Sequence, residues 1–229
     1  MNPNLVRTVL TAAALWIAAR PGSLSAGPND YPPAYNVAVG KAFECFHTRD
    51  FVAAMKYLDE ADRAVPQTPA VLNARGAIAI EKRQFDQGAK YCIAALEKDP
   101  QFFLARFNLG EIPFMQKRYP EARALYEEVL AAQPSNELVQ YRIFLTYLLD
   151  KNEASAHAAL NRIRYPGDTG AYYYAHAAWE FSRGNTTEAV RWLNAGDWIF
   201  SKEKNIYLAD PLADLGWIKR NANGKSSAE

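Results

Sequence analysis

Tyr119–Pro134 reads YPEARALYEEVLAAQP, and two earlier lines of the chain can be laid over it: FDQGAKYCIAALEKDP at Phe85–Pro100 and FVAAMKYLDEADRAVP at Phe51–Pro66. Each opens on an aromatic residue and closes on a proline, with a small residue (Ala54, Gly88, Ala122) three positions after the aromatic. Successive aromatics and successive prolines both keep a step of 34 residues. A fixed period of this size marks a repeat architecture, in which each unit is one supersecondary element. Upstream of each line lies a second helical pattern, VAVGKAFECFH, LNARGAIAIEK and FNLGEIPFMQ, and Gly76 and Gly110 again stand 34 apart.

Two looser copies follow. Glu137–Pro166 keeps the two-helix layout with Ala156 as its small residue, but Pro166 arrives two residues early. Gly170–Trp198 supplies Gly184 at the turn and Ala189 on the second helix, with Thr186 in place of the opening aromatic and no closing proline on schedule. The pattern resembles the tetratricopeptide repeat, whose signature is best matched in the third copy by Leu109, Gly110, Tyr119, Ala122, Tyr126 and Pro134. The resemblance covers roughly residues 35–202. It implies an all-α fold, a right-handed superhelical solenoid of helix-turn-helix repeats. A single helix pair cannot bury its apolar stripe, so stacking makes one core and the ends need caps.

Local signals agree. Thr68–Pro69 places a capping hydroxyl before a proline at the first helical position. Asp50, Asn152 and Asn185 are candidate caps of second helices, and Pro120 falls in a first turn. YLADPLADLGWIKR suggests a capping helix opened by Asp210 and Pro211, with Leu212, Leu215 and Trp217 or Ile218 on its apolar face. Pro113 is the discordant residue: a mid-helix proline removes a hydrogen bond and crowds the carbonyl four residues back, at roughly 3 kcal/mol. Gly110 leaves room beside that carbonyl. The residue reads as a tolerated kink, or as one that widens the groove beside Phe107 and Phe114.

The expected organisation is a signal peptide over 1–26, a linker over 27–34, about five repeats plus capping helix over 35–220, and a disordered tail over 221–229. Arg7, the uncharged apolar run Thr8–Ala19 and the small residues before Ala26 give the three-part layout of an export signal. That run is short of the ~20 residues of a spanning helix, so the mature protein is expected to be exported and not membrane-spanning. A tethered form with an uncleaved N-terminus is the alternative. The two cysteines, Cys45 and Cys92, lie on different helices and read as unpaired thiols.

Twenty-six basic and 25 acidic residues nearly cancel, which argues against nucleic acid as a partner. His47, His157 and His176 fall on three different repeats, and in a solenoid each repeat touches only its neighbours. Neighbouring carboxylates such as Glu127 and Glu128 read as a solvated flank. No nucleophile elbow, phosphate loop or metal-ligand spacing is present. No catalytic residue, metal ligand or cofactor is therefore expected. The family likeness instead implies a concave groove lined by first helices, where a protein or peptide partner binds. The groove-facing positions are Asn73 on the second copy, then Phe107, Asn108, Glu111 and Phe114 on the third. The fourth copy adds Tyr141, Arg142 and Leu145, and the fifth adds Tyr174. Two readings follow: an exported adapter or scaffold holding a partner segment in that groove, or a self-assembling envelope protein using repeat ends or the convex face. Filling of the groove by the capping helix would turn the lining into core.

Overall fold

The computed structural model describes residues 31–201, 204–220 and 226–227. The signal-peptide segment and residues 27–30 of the linker lie outside them, and the first described helix begins at Pro33, inside the expected linker. Eleven helices are described: α1 (Pro33–His47), α2 (Phe51–Ala64), α3 (Pro69–Glu81), α4 (Phe85–Lys98), α5 (Phe103–Met115), α6 (Tyr119–Ala132), α7 (Glu137–Leu149), α8 (Glu153–Leu160), α9 (Ala171–Ser182), α10 (Thr186–Phe200) and α11 (Ile206–Asp214). Two compact units divide between Ile112 and Pro113, within α5.

One turn, used five times, sets the register. Arg49, Arg83, Lys117, Lys151 and Gly184 each adopt a positive φ, between 58° and 79°. The first four are 34 residues apart, and Gly184 follows after 33. At each, the left-handed residue donates its N–H to the carbonyl three back, and the next residue donates to the carbonyl five back, as in Lys117 to Phe114 (3.0 Å) and Arg118 to Pro113 (2.8 Å). This is the Schellman ending of a helix. The residue that completes it, such as Asp50 or Asn152, is also the N-cap of the following helix. First and second helices are thus joined by the shortest connection that satisfies both ends.

The same geometry accounts for Pro113. Its carbonyl is the outer acceptor of the turn, and α5 ends two residues later at Met115. The proline sits in the last turn, where the N–H it lacks would have served only Leu109. Asp50 and Asn152 cap as expected, accepting from Ala53 N (2.9 Å) and Ser155 N (3.1 Å). Asn185 does not: its amide donates to Glu180 Oε2 (2.8 Å). Thr68 accepts from Val71 N (3.2 Å) and shares a 2.7 Å hydrogen bond with Tyr35 Oη, tying α1 to the start of α3.

In the first unit α1 packs on α2 and α3 on α4, with α2 against α3. The glycines set the closest approach. A Cβ on Gly76 would lie 2.7 Å from Cys92 Sγ and 3.3 Å from the Gly88 carbonyl oxygen; one on Gly88 would lie 2.6 Å from Ile80 Cγ1. Arg75 joins α3 to α2 through Asp59 and Asp62, each at 2.8 Å. Cys45 and Cys92 are free thiols, the second fully buried and pushed up to about 12 by that burial.

In the second unit α7 packs on α8 and α9 on α10, with α6 against α7 and α9 against α7. Arg123 of α6 stacks over the Tyr147 ring (3.7 Å) and reaches Thr146 Oγ1 and Asp150. The fourth repeat departs from the others: α8 has eight residues where α2, α4 and α6 each have 14. The chain after Leu160 runs irregularly to Ala171, through a cis Tyr165–Pro166 bond.

The capping helix starts earlier than its sequence suggests. Asn205 precedes α11, and Asp210 and Pro211 lie inside it. Proline there cannot donate to the Tyr207 carbonyl, and Arg142 Nη1 takes up that oxygen at 3.3 Å. Leu208 and Leu212 are buried, and Trp217 beyond the helix stacks on Phe181. Of the tail, Ser226–Ser227 pair antiparallel with Lys219–Arg220; residues 221–225 and 228–229 lie outside the described segments.

Candidate functional site

The expected lining residues divide between the two units and have different fates. In the first unit, Asn73 on α3 and Asn108 on α5 meet directly: Asn108 Nδ2 donates to Asn73 Oδ1 at 2.8 Å. Asn73 is buried, while Asn108 and Glu111 keep partial exposure. Phe107 is 9% exposed. The result is an amide pair joining first helices of successive repeats, with one amide at the surface. Each asparagine has more hydrogen-bonding capacity than this one bond uses.

In the second unit the equivalent face carries α11, which packs against α7 and α9, the first helices of the fourth and fifth repeats. Tyr141 is fully buried and its hydroxyl donates to the Leu208 carbonyl at 3.0 Å. Arg142 is 5% exposed and donates to Tyr207 O. Its guanidinium also lies 5.7 Å from the centre of the Phe114 ring, which is half-buried and packs edge-on to Tyr119. Leu145 is fully buried. Tyr174 is 3% exposed and donates to Asp197 Oδ1 (2.7 Å), to which Asn205 Nδ2 also donates (3.0 Å). Burial raises the pKa of both tyrosines; Asp197 adds to the rise at Tyr174, and Arg142 opposes it at Tyr141. Both hydroxyls therefore stay protonated as donors. Tyr141, Arg142, Leu145 and Tyr174 thus hold a segment of their own chain and present core, not an open lining. The cause is the early start of α11, which a cap placed at Asp210 conceals.

The histidines are packed among aromatic rings. His47 lies edge-on to Phe43 (4.1 Å), His157 lies 5.6 Å from Trp179, and His176 stacks on Trp192 (4.6 Å). Among the described residues no group of three or more His, Cys, Asp or Glu is placed to hold a metal ion, and no helix is long and apolar enough to cross a membrane.

A second concave feature lies where α8 is cut short. A recess of about 520 Å³ is lined by Pro134, Ser135, Glu137 and Gln140 together with Arg162, Arg164 and Pro166–Asp168. Sequence reasoning did not find it; its one signal was Pro166 arriving two residues ahead of the repeat.

Residues 73–137 match the model of the tetratricopeptide repeat. An uncharacterized protein, ycf37, of Cyanophora paradoxa is 30% identical over 89 residues, 39% of this chain and 52% of the relative. The small glutamine-rich tetratricopeptide repeat-containing protein 2 of Mycosarcoma maydis is 29% identical over 92 residues, 40% of this chain and 26% of the relative. The chain therefore aligns with about half or less of these relatives' length. A tetratricopeptide repeat protein of Parabacteroides merdae, known from a crystal structure, superposes with a TM-score of 0.49 at 21% identity, over 80% of this chain and 73% of that one. Residues 73–137 thus carry the tetratricopeptide repeat, and the five like turns and consecutive helix pairs show the same helix-turn-helix architecture on either side of them.

Proposed function

We propose that the protein is an adapter that holds an extended segment of a partner protein on the first-helix face of its first unit. Repeats of this family mediate protein–protein interaction in general; the location is the new element. What supports it is the second unit, which serves as an internal template. Steps of 34 residues relate Asn73 to Phe107 and Tyr141, and Asn108 to Arg142. At Tyr141 and Arg142 this face donates hydrogen bonds to two successive main-chain carbonyls of α11. Asn73 and Asn108 put side-chain amides at the same repeat positions in the first unit. Main-chain groups are present in every peptide, so a donor at the partly exposed Asn108, backed by the buried Asn73, holds a segment by its backbone, and Glu111 beside it selects among side chains.

The test is site-specific photo-crosslinking in the native host. A crosslinker at Asn108 or Glu111 is compared with one at Val52, which is 84% exposed on α2. The expected result is an adduct formed from positions 108 and 111, absent from position 52 and lost in Asn73→Ala. The same adducts from all three positions would refute the reading. Export belongs to the same proposal and rests on the apolar run Thr8–Ala19 behind Arg7. The intact mass of protein recovered from that host should lack about the first 26 residues; a full-length mass would refute export by cleavage.

One observation favours association through the end of the repeat array as a second reading. Trp198 is 88% exposed on the last turn of α10, with Ile199 at 47% beside it. Sedimentation of Trp198→Ser against wild type distinguishes it: a self-associating wild type that becomes monomeric in the variant supports assembly, and identical profiles remove it.

A further inference from the structure

The recess beside the shortened α8 is a built feature. The fourth repeat keeps nearly its full length, since the left-handed turns at Lys151 and Gly184 are 33 residues apart, yet the last turns of its second helix are exchanged for the 161–170 loop. The loop is pinned where it passes α7: the Glu137 carboxylate accepts from Asp168 N (2.8 Å), Thr169 N (2.9 Å) and Thr169 Oγ1. Glu137 is thereby bonded to the loop and, among the described residues, makes no ion pair with either arginine of the recess.

Arg162 and Arg164 make no ion pair or side-chain hydrogen bond among the described residues, and both line the recess. On the same lining Gln140 gives its Nε2 to the Pro134 carbonyl (2.8 Å), which leaves Oε1 buried with no partner. A buried acceptor without a donor costs about 1–3 kcal/mol, so the site favours a group that supplies one. The Asp168 carboxylate, on the same lining, is the second acceptor without an ion-pair partner. The recess therefore combines two guanidinium groups outside any ion pair with acceptors at Gln140 and Asp168, in a volume suited to a small molecule or a few residues of chain.

We propose that this recess binds a carboxylate that is carried together with N–H donors: the carboxylate on Arg162 and Arg164, the N–H groups on Gln140 Oε1 and Asp168. A free amino acid, a peptide C-terminus and an acidic side chain within a peptide share that chemistry. The site belongs to the second unit and does not depend on the adapter reading.

The experiment is an NMR titration of the ¹⁵N-labelled protein with three probes: glutamate, acetyl-Ala-Ala with a free carboxylate, and acetyl-Glu-methylamide. Saturable shifts at the Gly167–Thr169 amides and the Gln140 side-chain amide are expected with at least one, and which one saturates identifies the source. Arg162→Gln/Arg164→Gln should weaken that binding about tenfold or more, as loss of charge-assisted hydrogen bonds does. Both side chains are exposed, and an unchanged melting curve confirms that the variant folds. Arg191→Gln, an exposed arginine paired with Glu188 on α10, should bind as wild type does. Asp168→Asn should weaken glutamate, with its free ammonium, more than the acetylated probes. Linear, unsaturable shifts with all three probes would overturn the proposal, as would equal saturation in the double arginine variant.

Discussion

Gly76→Ala tests the closest helix contact in the first unit. The added Cβ would sit 2.7 Å from Cys92 Sγ, where an ordinary contact would be about 3.5–4 Å, so roughly 1 Å of movement is forced. The Gly88 carbonyl at 3.3 Å closes the other escape. Overpacking of this kind costs about 1–3 kcal/mol. Alanine's better helix propensity returns about 1 kcal/mol, so the net loss should be about 0–2 kcal/mol. Cys92→Ala alone should cost about 1 kcal/mol, the scale of deleting one buried heavy atom. In the double variant the new methyl occupies space the sulfur has left. The two losses should then fall short of adding, by about 1 kcal/mol or more. Denaturant unfolding of the four proteins gives this coupling directly. Additivity within about 0.5 kcal/mol, the behaviour of independent sites, would mean that α3 and α4 part under the methyl. The glycine–thiol contact would then not set their spacing.

Three further outcomes are expected. Arg83→Gly and Lys117→Gly should each stabilise by about 0.5–1 kcal/mol in chemical denaturation, because φ values of 61° and 62° strain a residue with a Cβ; Gly184→Ala should do the reverse, and a destabilised Arg83→Gly would contradict the turn assignment. Tyr141→Phe should cost about 1 kcal/mol and raise amide exchange across α11 selectively; unchanged exchange there would mean that the hydroxyl does not anchor the helix. Burial lowers the His176 pKa below 6.5, with Glu180 opposing. The neutral ring is thus favoured on folding, and its contribution is complete above pH 6.5 and lost as pH falls through and below that value. His176→Phe, which keeps a ring against Trp192, should lose less melting temperature between pH 7.5 and 5.5 than wild type does. An equal loss would place the acid sensitivity elsewhere.

The repeats were legible because their signals are redundant. Aromatic, small residue and proline recur on one period, and a period survives loss of any single member, as it does at Thr186. The left-handed residues repeat as strictly but hide among ordinary surface charges, since Arg49, Arg83, Lys117 and Lys151 look like solvated basic residues and their conformation is set by the helices on either side. The lining of the second unit was misjudged for a local reason. Asp210–Pro211 is a good helix start on propensity alone, and it displaces the true start at Ile206 by five residues. Those residues carry the Tyr207 and Leu208 carbonyls, so the error concealed the acceptors that draw Tyr141 and Arg142 into the core.

The prolines at 113, 120 and 211 show what decides whether such a residue disturbs a helix. Pro120 stands in the first turn of α6, where no N–H is missed. Pro113 stands in the last turn of α5, and its carbonyl takes the Arg118 N–H that closes the repeat turn. Pro211 stands three residues before the end of α11, and the acceptor it abandons is taken by a side chain from α7. The break in α11 therefore becomes a docking point: a regular helix offers no spare carbonyls along its length, whereas one interrupted by proline offers one at a fixed place. Arg142 is at the repeat position occupied by Asn108 in the third copy, so the repeat position that closes the second unit on a proline-freed carbonyl carries a side-chain amide in the first unit.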